Sequence, residues 1–218
     1  MKSPIHYSWK TEAIPIILIV ISFFLSIYFY LNFPDQIATH WDFEGKVNGY
    51  SHKFLGSFLF PLLITFMYAI FVVLPFCDPK KENYKKFEKK YHQFKTVFTG
   101  MLFFLFIIMG LFNLGYPISV GKIVPMTVGI LILFIGNSMK SLKRNWFFGI
   151  RTPWTMSSDV VWDRTHRFGG YLFILFGLVL FAVPFLGSFP GFITFTLGIL
   201  VTVFGTILYS YIVYKKTH

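Results

Sequence analysis

Hydrophobic positions along the chain fall into six long runs that polar segments separate. The runs cover residues 13–31, 54–76, 96–114, 123–139, 168–186 and 192–213. Most approach the roughly 20 residues that a helix needs to cross a bilayer, whereas barrel strands alternate over about 10 residues. The pattern predicts an all-α integral membrane protein with six transmembrane helices. No Asp, Glu, Lys, Arg or His lies within a run as drawn, which disfavours an ion-coupled transporter.

The polar segments between the runs differ in charge, and this difference predicts the orientation. Seventeen of the 20 Lys and Arg residues lie in four places: before the first run, between the second and third runs, between the fourth and fifth runs, and after the sixth run. The positive-inside rule therefore places both termini in the cytoplasm. The same rule places residues 32–53 outside and residues 140–167 inside. We expect both of these loops, the outer loop and the inner loop, to be ordered.

Composition narrows the class of protein further. The chain is 55% hydrophobic and 13% charged, whereas a soluble domain carries about 25% charged residues. The formal net charge is +11. Because the cations lie beside the spans, they predict contact with an anionic inner leaflet and not direct nucleic-acid binding. The single cysteine, Cys77, allows no internal disulfide, and we expect no cofactor.

The linker at residues 78–95 has an amphipathic pattern. Tyr84, Phe87, Tyr91 and Phe94 recur at spacings of three and four, with lysines around them. The pattern predicts a helix that lies on the inner leaflet, held by its aromatic side chains and by anionic lipid. A docking site for a cytosolic protein is the alternative interpretation.

The outer loop is rich in turn-forming residues. Gly45 and the pair Asn48-Gly49 favour tight turns, and the residues between them favour a short hairpin. His40, Asp42 and Glu44 alternate along this stretch. Together with His52 they allow a zinc or calcium site as one interpretation. An ordered polar loop whose Trp41 and Tyr50 lie at the lipid headgroups, and a recognition surface for an external ligand, are the other two.

The inner loop divides into a turn and a helix. Gly149 allows close backbone approach, and Thr152, which precedes Pro153, is restricted to extended geometry. Ser157-Ser158-Asp159 is typical of a helix start. We predict a helix from Val160 to the pair Gly169-Gly170, before the fifth span.

Two interpretations of the charged residues on this helix stay open. Asp163 and Arg167 are four residues apart and are expected to pair. In the functional interpretation, Arg151, Asp159, His166 and Arg167 form an anion-binding cluster or an acid/base site. In the structural one, the charges of a juxtamembrane helix satisfy each other and lipid phosphates.

The inner loop also carries an extended motif. The motif consists of Gly136-Asn137, Lys143, Asn145, the run GIRTPWT at 149–155, Val161-Trp162 and Thr165-His166-Arg167. It resembles the signature of the SdpI family, membrane immunity proteins against the sporulation-delaying peptide toxin of bacilli. The outer loop, with Pro34, Thr39-His40-Trp41, Gly45 and Gly49-Tyr50, is similar to the uncharacterised region DUF1648 that often precedes that signature.

The resemblance implies a division of the chain into three parts. These are a DUF1648-like two-helix unit at 13–77, the basic linker at 78–95, and an SdpI-like four-helix unit at 96–214. We predict functional residues in the inner loop at Asn137, Lys143, Asn145, Gly149, Arg151, Thr152, Pro153, Trp154, Trp162, Thr165, His166 and Arg167. We predict ligand recognition in the outer loop by Pro34, His40, Trp41, Gly45, Gly49 and Tyr50.

The resemblance also implies a function. It indicates a multi-pass protein of the bacterial cell membrane that gives immunity to an extracellular peptide toxin and is not an enzyme. In the family, immunity can be joined to signalling, in which the membrane protein holds a cytosolic transcriptional repressor. A membrane enzyme or lipid- and phosphate-handling protein that uses the cationic inner loop is the alternative, and a transporter is the third.

Overall fold

Six long helices dominate the computed structural model, which describes residues 3–217. The helices are α1 (Trp9–Asn32), α2 (Lys53–Cys77), α3 (Glu88–Asn113), α4 (Val120–Met139), the short α5 (Pro153–Ser157), α6 (Asp159–Ala182) and α7 (Ser188–Thr217). All except α5 are long and apolar enough to cross a membrane. The six-span prediction is confirmed.

The helices extend beyond the apolar runs because polar residues begin them. Ser8 caps α1 through a capping box with Thr11, and Ser158 caps α6. The predicted break at Gly169-Gly170 is wrong, since α6 runs through both glycines. A Cβ at Gly170 would lie 2.8 Å from the carbonyl oxygen of Gly136 in α4. The glycines therefore allow close helix packing instead of ending the helix.

The spans form two groups that meet at α3 and α4. Helices α1, α2 and α3 pack against one another, and α6 packs between α4 and α7. The first group encloses an apolar cluster of Phe29, Phe33, Ile37, Phe106 and Met109. Because successive spans alternate in direction, residues 32–53 lie on one side of the bundle and residues 140–167 on the other.

The outer surface of the bundle is apolar. Phe24, Phe66 and Phe204 are 69%, 60% and 63% exposed, and each lies within a different span. Exposed apolar area on this scale is incompatible with water but is what a bilayer solvates. The chain is thus a multi-pass membrane protein.

The predicted outer loop contains an antiparallel hairpin of β1 (Gln36–Trp41) and β2 (Val47–His52). Gly45 lies in the turn with a φ of 79°, so the hairpin and the turn at Gly45 are confirmed. The second predicted turn is wrong, because Gly49 lies in β2 and pairs with His40.

The aromatic face of the linker is buried in the protein and not in lipid. Residues Lys81–Lys86 form a 3-10 helix, and the following residues begin α3. Tyr84, Phe87 and Tyr91 form a buried cluster with Ile5, against which Phe148 packs. The prediction of a helix on the membrane surface is therefore wrong. The aromatic residues do lie together, as the amphipathic pattern indicates, but they face another part of the chain and not lipid.

A buried ion pair corrects the expectation that the spans carry no charge. Lys95 in α3 is completely buried, and its Nζ donates to Glu12 Oε1 of α1 over 2.6 Å. The Tyr68 hydroxyl donates to Glu12 Oε2 over 2.7 Å, and His92 Nδ1 lies 3.4 Å from Oε1. Both charges fall just outside the apolar runs, and the longer helices bring them into the bundle.

Candidate functional site

Residues 140–167, here called the signature loop, fold around the side chain of Asn145, which is completely buried. Its Nδ2 donates to the carbonyl oxygens of Lys143 and Phe148, and its Oδ1 accepts from the N–H groups of Phe147 and Phe148. One side chain therefore satisfies four backbone groups in a tight turn. This turn requires an amide that both donates and accepts.

Gly149 and His166 form the second fixed point of the signature loop. The backbone N–H of Ile150 donates to His166 Nε2 over 2.9 Å, and His166 Nδ1 lies 2.9 Å from the carbonyl oxygen of Trp162. The ring therefore carries its proton on Nδ1, and both nitrogens are engaged. Gly149 has a φ of 104°, and a Cβ there would lie 2.2 Å from Nε2. The contact requires glycine.

Two threonines close the GIRTPWT turn. Thr152 is the N-cap of α5 and forms a capping box with Thr155, whose hydroxyl also donates to the carbonyl oxygen of Ile150. The hydroxyl of Thr152 reaches Ser210 of α7 over 3.0 Å. Pro153 lies in the first turn of α5, and Trp154 packs against Tyr211 of α7. The turn is thereby fastened to the last span.

Trp162 and Thr165 belong to the interior of the signature loop. Both are completely buried. The Trp162 ring stacks on His166 with 4.0 Å between ring centroids, and its Nε1 donates to the carbonyl oxygen of Leu142. Trp162 therefore joins the first turns of α6 to the segment that follows α4.

The charged residues do not form the predicted cluster. Asp163 pairs with Lys143 over 3.1 Å, and not with Arg167 as predicted. Asp159 pairs with Arg144, whose Nη1 also donates to the carbonyl oxygen of Met156. Both carboxylates therefore pair with basic residues of the segment before α6, Lys143 and Arg144, and not with a residue of their own helix.

The remaining predicted residues of this loop are exposed. Arg151 is exposed and donates to the carbonyl oxygen of Trp146, and Arg167 is exposed as well. Asn137, predicted with them, is exposed near the end of α4 and lies before the signature loop. With His166 buried and Asp159 paired to Arg144, the predicted anion-binding or acid/base cluster of Arg151, Asp159, His166 and Arg167 is not assembled.

The signature loop is also tied to the linker through Asp78, which is 2% exposed. Its Oδ2 accepts from the hydroxyl of Tyr84 over 3.0 Å and from the N–H of Trp146 over 2.9 Å. Burial and the adjacent Asp78 carboxylate raise the pKa of Tyr84 far above its ordinary value, so its hydroxyl remains a donor. The Asn83 side chain donates to the carbonyl oxygen of Arg144 over 2.7 Å.

The hairpin on the opposite side is anchored through Asn113 at the end of α3. Asn113 Oδ1 accepts from the N–H of Ala38 over 2.7 Å, and its Nδ2 donates to the carbonyl oxygen of Ala38 over 2.9 Å. Trp41, which one of the three interpretations put at the headgroups, is half-buried and packs edge-on against Phe112. One amide and one indole thus fasten β1 to α3.

The hairpin turn crosses to the second group of spans. Gly45 touches Gly121 of α4 so closely that a Cβ on either glycine would lie 2.9 Å from the Cα of the other. Phe43 packs against Phe192 and Phe195 of α7. The hairpin therefore bridges both halves of the bundle.

The two faces of the hairpin differ. One face packs on the bundle through Ile37, which is 1% exposed. The opposite face, here called the hairpin face, carries exposed side chains, namely Gln36, His40, Asn48, Tyr50 and His52. Of the predicted recognition residues, His40 and Tyr50 lie on this face and Pro34 is exposed before β1. Trp41, Gly45 and Gly49 support the hairpin's shape.

The predicted ligands of a metal have other partners. His40 contacts Asn48, Glu44 pairs with Lys46, and His52 caps α2. Within residues 3–217, no group of three or more His, Cys, Asp or Glu side chains is arranged to hold a metal ion. The zinc or calcium interpretation of the outer loop gains no support.

Sequence reasoning missed the residues that join distant segments. Glu12 with Lys95, Asp78 with Trp146 and Asn113 with Ala38 are each separated by more than 60 residues. Ser8, a favoured N-cap residue, was an available signal for Glu12, since it places the start of α1 upstream of the apolar run. For Asp78 and Asn113 the sequence carries no local signal.

Fold and sites together define a class of protein, a six-span membrane protein with one ordered polar layer on each side of the bilayer. The SdpI/YfhL protein family matches residues 141–214, and the domain of unknown function DUF1648 matches residues 17–65. Immunity protein SdpI of Bacillus subtilis (strain 168) is 30% identical over 211 residues, which are 95% of this chain and 97% of that protein. The chain belongs to the SdpI family. No solved structure is significantly similar to it.

Proposed function

We propose that this protein protects the cell from a peptide toxin that reaches the membrane on the hairpin side. The similarity to an immunity protein carries the proposal, since it covers 95% of this six-span chain and 97% of that protein. In this proposal the hairpin side faces outward, as the excess of Lys and Arg on the opposite side favours.

The hairpin face suits recognition of an amphipathic peptide. Tyr50 is 66% exposed, and the neighbouring His40 and His52 offer polar groups on the same ordered surface. Exposed aromatic residues supply much of the binding energy at protein interfaces. Because Asn113, Gly121 and Phe43 hold the hairpin at three places, the peptide would meet a preformed surface and pay little ordering entropy.

The opposite side supports the finer proposal that immunity is joined to capture of a cytosolic repressor. Arg151, Arg164 and Arg167 are exposed around the signature loop, and the buried network beneath fixes their backbone. Such a rigid cationic surface fits an acidic protein partner. We do not assign an acid/base reaction to His166, because both of its ring nitrogens are hydrogen-bonded within the loop.

Toxin survival tests the proposal. The chain is expressed in a sensitive bacterial host that is challenged with the sporulation-delaying peptide, and Tyr50→Ala is compared with Tyr116→Ala. Tyr116 is a matched control, since it is 57% exposed in the turn between α3 and α4 on the same side. At equal membrane levels we expect Tyr50→Ala to weaken protection by about tenfold, the effect of one interface aromatic, and Tyr116→Ala to keep it.

The outcomes separate the two levels of the proposal. A parent chain that gives no protection at a normal membrane level contradicts toxin immunity for this peptide. Full protection by Tyr50→Ala contradicts recognition by the hairpin face and leaves immunity standing. Loss of repressor retention in Arg164→Gln and Arg167→Gln, with protection intact, would support the separate signalling surface.

A further inference from the structure

A cavity of about 230 Å³ lies where the two groups of spans meet the signature loop. Its walls come from Phe87 and the start of α3, the end of α4, one residue of α6, and Leu142 and residues 147–150 of the signature loop. The lining is almost entirely apolar and aromatic. Among the lining residues Lys90 supplies a cationic group and Ser138 a hydroxyl group, while the hydroxyl of Tyr91 donates to the carbonyl oxygen of Phe71. We propose that this cavity is a selective site for an anionic phospholipid of the leaflet on the loop side.

The size of the cavity fits part of one acyl chain. A dry cavity of roughly 150 Å³ already accepts a benzene ring, so about 230 Å³ accommodates the upper segment of a chain but not two complete chains. Phe94, Ile135 and Phe173 provide apolar walls for that segment. The headgroup remains outside, at the level where the spans end.

Lys90 gives the site its preference for negative charge. It is partly exposed, and its Nζ lies 5.9 Å from the centre of the Phe134 ring. Within residues 3–217 no carboxylate pairs with Lys90, in contrast to Lys95, Lys85 and Lys143, which each have an acidic partner. The neighbouring Lys86 and Lys89 are exposed but do not line the cavity. A headgroup phosphate would neutralise a cation that the protein leaves unpaired.

Ser138 is a second and independent indication of an occupant. It is 6% exposed, and its Oγ has no hydrogen-bond partner in the described part of the chain. Buried Ser26 and Thr99 donate to the carbonyl oxygen four residues earlier in their helices, which is the usual solution in a span. An unsatisfied buried hydroxyl is costly. The ester or glycerol oxygens of a lipid would provide the acceptor that Ser138 lacks.

The position of the cavity gives an occupant a structural consequence. Tyr91 and Phe94 belong to α3, Met139 belongs to α4, and Phe148 and Gly149 belong to the signature loop. A chain bound among them would fasten the two groups of spans to each other and to the loop. Anionic lipid should therefore stabilise the whole fold and not one helix.

Photolabelling in vesicles tests the site. The purified full-length protein is placed in phosphatidylcholine vesicles that contain a trace of probe, either phosphatidylglycerol or phosphatidylcholine with a diazirine near the carbonyl end of one chain. We expect the phosphatidylglycerol probe to label peptides around 87–94, 135–139 and 147–150 at least fivefold more than the phosphatidylcholine probe.

Charge and volume variants assign the label to this cavity. Lys90→Gln should reduce labelling by phosphatidylglycerol about fivefold, the effect of one basic residue at an anionic surface, whereas the adjacent exposed Lys89→Gln should not. Ser138→Leu should fill the cavity and abolish labelling by both probes, with Ile135→Trp as the second filling variant if the first does not fold. Equal labelling by both probes, or unchanged labelling in Lys90→Gln, would overturn the proposal. Label found away from the cavity would overturn it as well.

Discussion

The hairpin and the signature loop are both ordered and polar, but the loop turns its distinctive side chains into the protein and the hairpin turns them outward. The signature loop turns Asn145, Trp162 and His166 inward, and all three are at most 1% exposed. The hairpin turns Tyr50 and His40 outward and is held from beneath by Asn113, a residue of α3. The loop uses its distinctive residues to fold itself, whereas the hairpin is folded by its neighbours and keeps its own residues available.

The difference shows that a dense motif does not by itself mark chemistry. A loop without regular strands must satisfy its backbone N–H and C=O groups with side chains, and Asn145 alone satisfies four. A hairpin satisfies much of its backbone by strand pairing, so its side chains are free for recognition. The contrast supports the proposal that toxin recognition belongs to the hairpin, while most of the signature residues have structural partners within the loop.

The largest effect should come from Gly149→Ala. The new Cβ would lie 2.2 Å from His166 Nε2, at a backbone φ of 104°. We expect the folded state to lose roughly 3 kcal/mol or more, because the strain adds to a broken buried hydrogen bond. Thermal unfolding of the purified protein measures this loss of stability, and the amount of the variant in the membrane is compared with that of the parent. Gly115→Ala is the control, since φ is 86° there but no atom lies within 4 Å, and it should cost only about 1–2 kcal/mol.

His166→Ala should be the next largest. It leaves the N–H of Ile150 and the carbonyl oxygen of Trp162 without their partners and opens space beneath the indole ring. We expect a loss of roughly 2–4 kcal/mol in unfolding free energy. The exposed neighbour Arg167→Ala should stay within about 0.5 kcal/mol. A His166→Ala protein that keeps its thermal stability but loses function would revive the acid/base interpretation.

Asn113→Ala should release the hairpin and leave the bundle folded. Two hydrogen bonds to Ala38 are lost, which corresponds to roughly 1–3 kcal/mol. Hydrogen exchange at residues 36–52 should rise, and toxin protection should fall with it. Asn32→Ala is the matched control, because Asn32 is exposed and bonds only the carbonyl oxygen of Tyr28 in its own helix. Unchanged exchange in Asn113→Ala would contradict the anchoring role.

Tyr50→Ala should have the smallest effect on stability. The ring is 66% exposed, so the unfolding free energy should change by no more than about 0.5 kcal/mol. Its reduced toxin protection should therefore appear in a protein with normal thermal unfolding. A large fall in the unfolding temperature would show that Tyr50 supports the hairpin, and the loss of protection would then not report recognition.

The spans and the hairpin could be predicted because their signals are local. Run length predicts a membrane helix, and Gly45 with the surrounding polar residues predicts a turn. The partner of an amphipathic face is not a local property. Tyr84, Phe87 and Tyr91 show the same spacing whether they face lipid or Phe148, and the structure selects Phe148.

Pairing between charged residues that are distant along the chain could not be predicted from the sequence either. Glu12 and Lys95 are 83 residues apart, and each lies directly before an apolar run. Their burial follows from helix extension and from the neighbouring Tyr68, which completes the hydrogen bonding of Glu12. Likewise, Asp163 had Arg167 at ideal helical spacing, but the fold brought Lys143 within 3.1 Å. Tertiary proximity decided both pairings.

Site-specific photo-crosslinking of the toxin tests the difference between the two sides most directly. Benzoylphenylalanine is placed at Tyr50 on the hairpin face, at Tyr116 in the nearby turn, and at Arg151 on the signature loop, and intact cells are irradiated with the sporulation-delaying peptide. We predict a strong cross-link from position 50, a weak one from 116 and none from 151. A cross-link from position 151 without one from position 50 would contradict recognition by the hairpin.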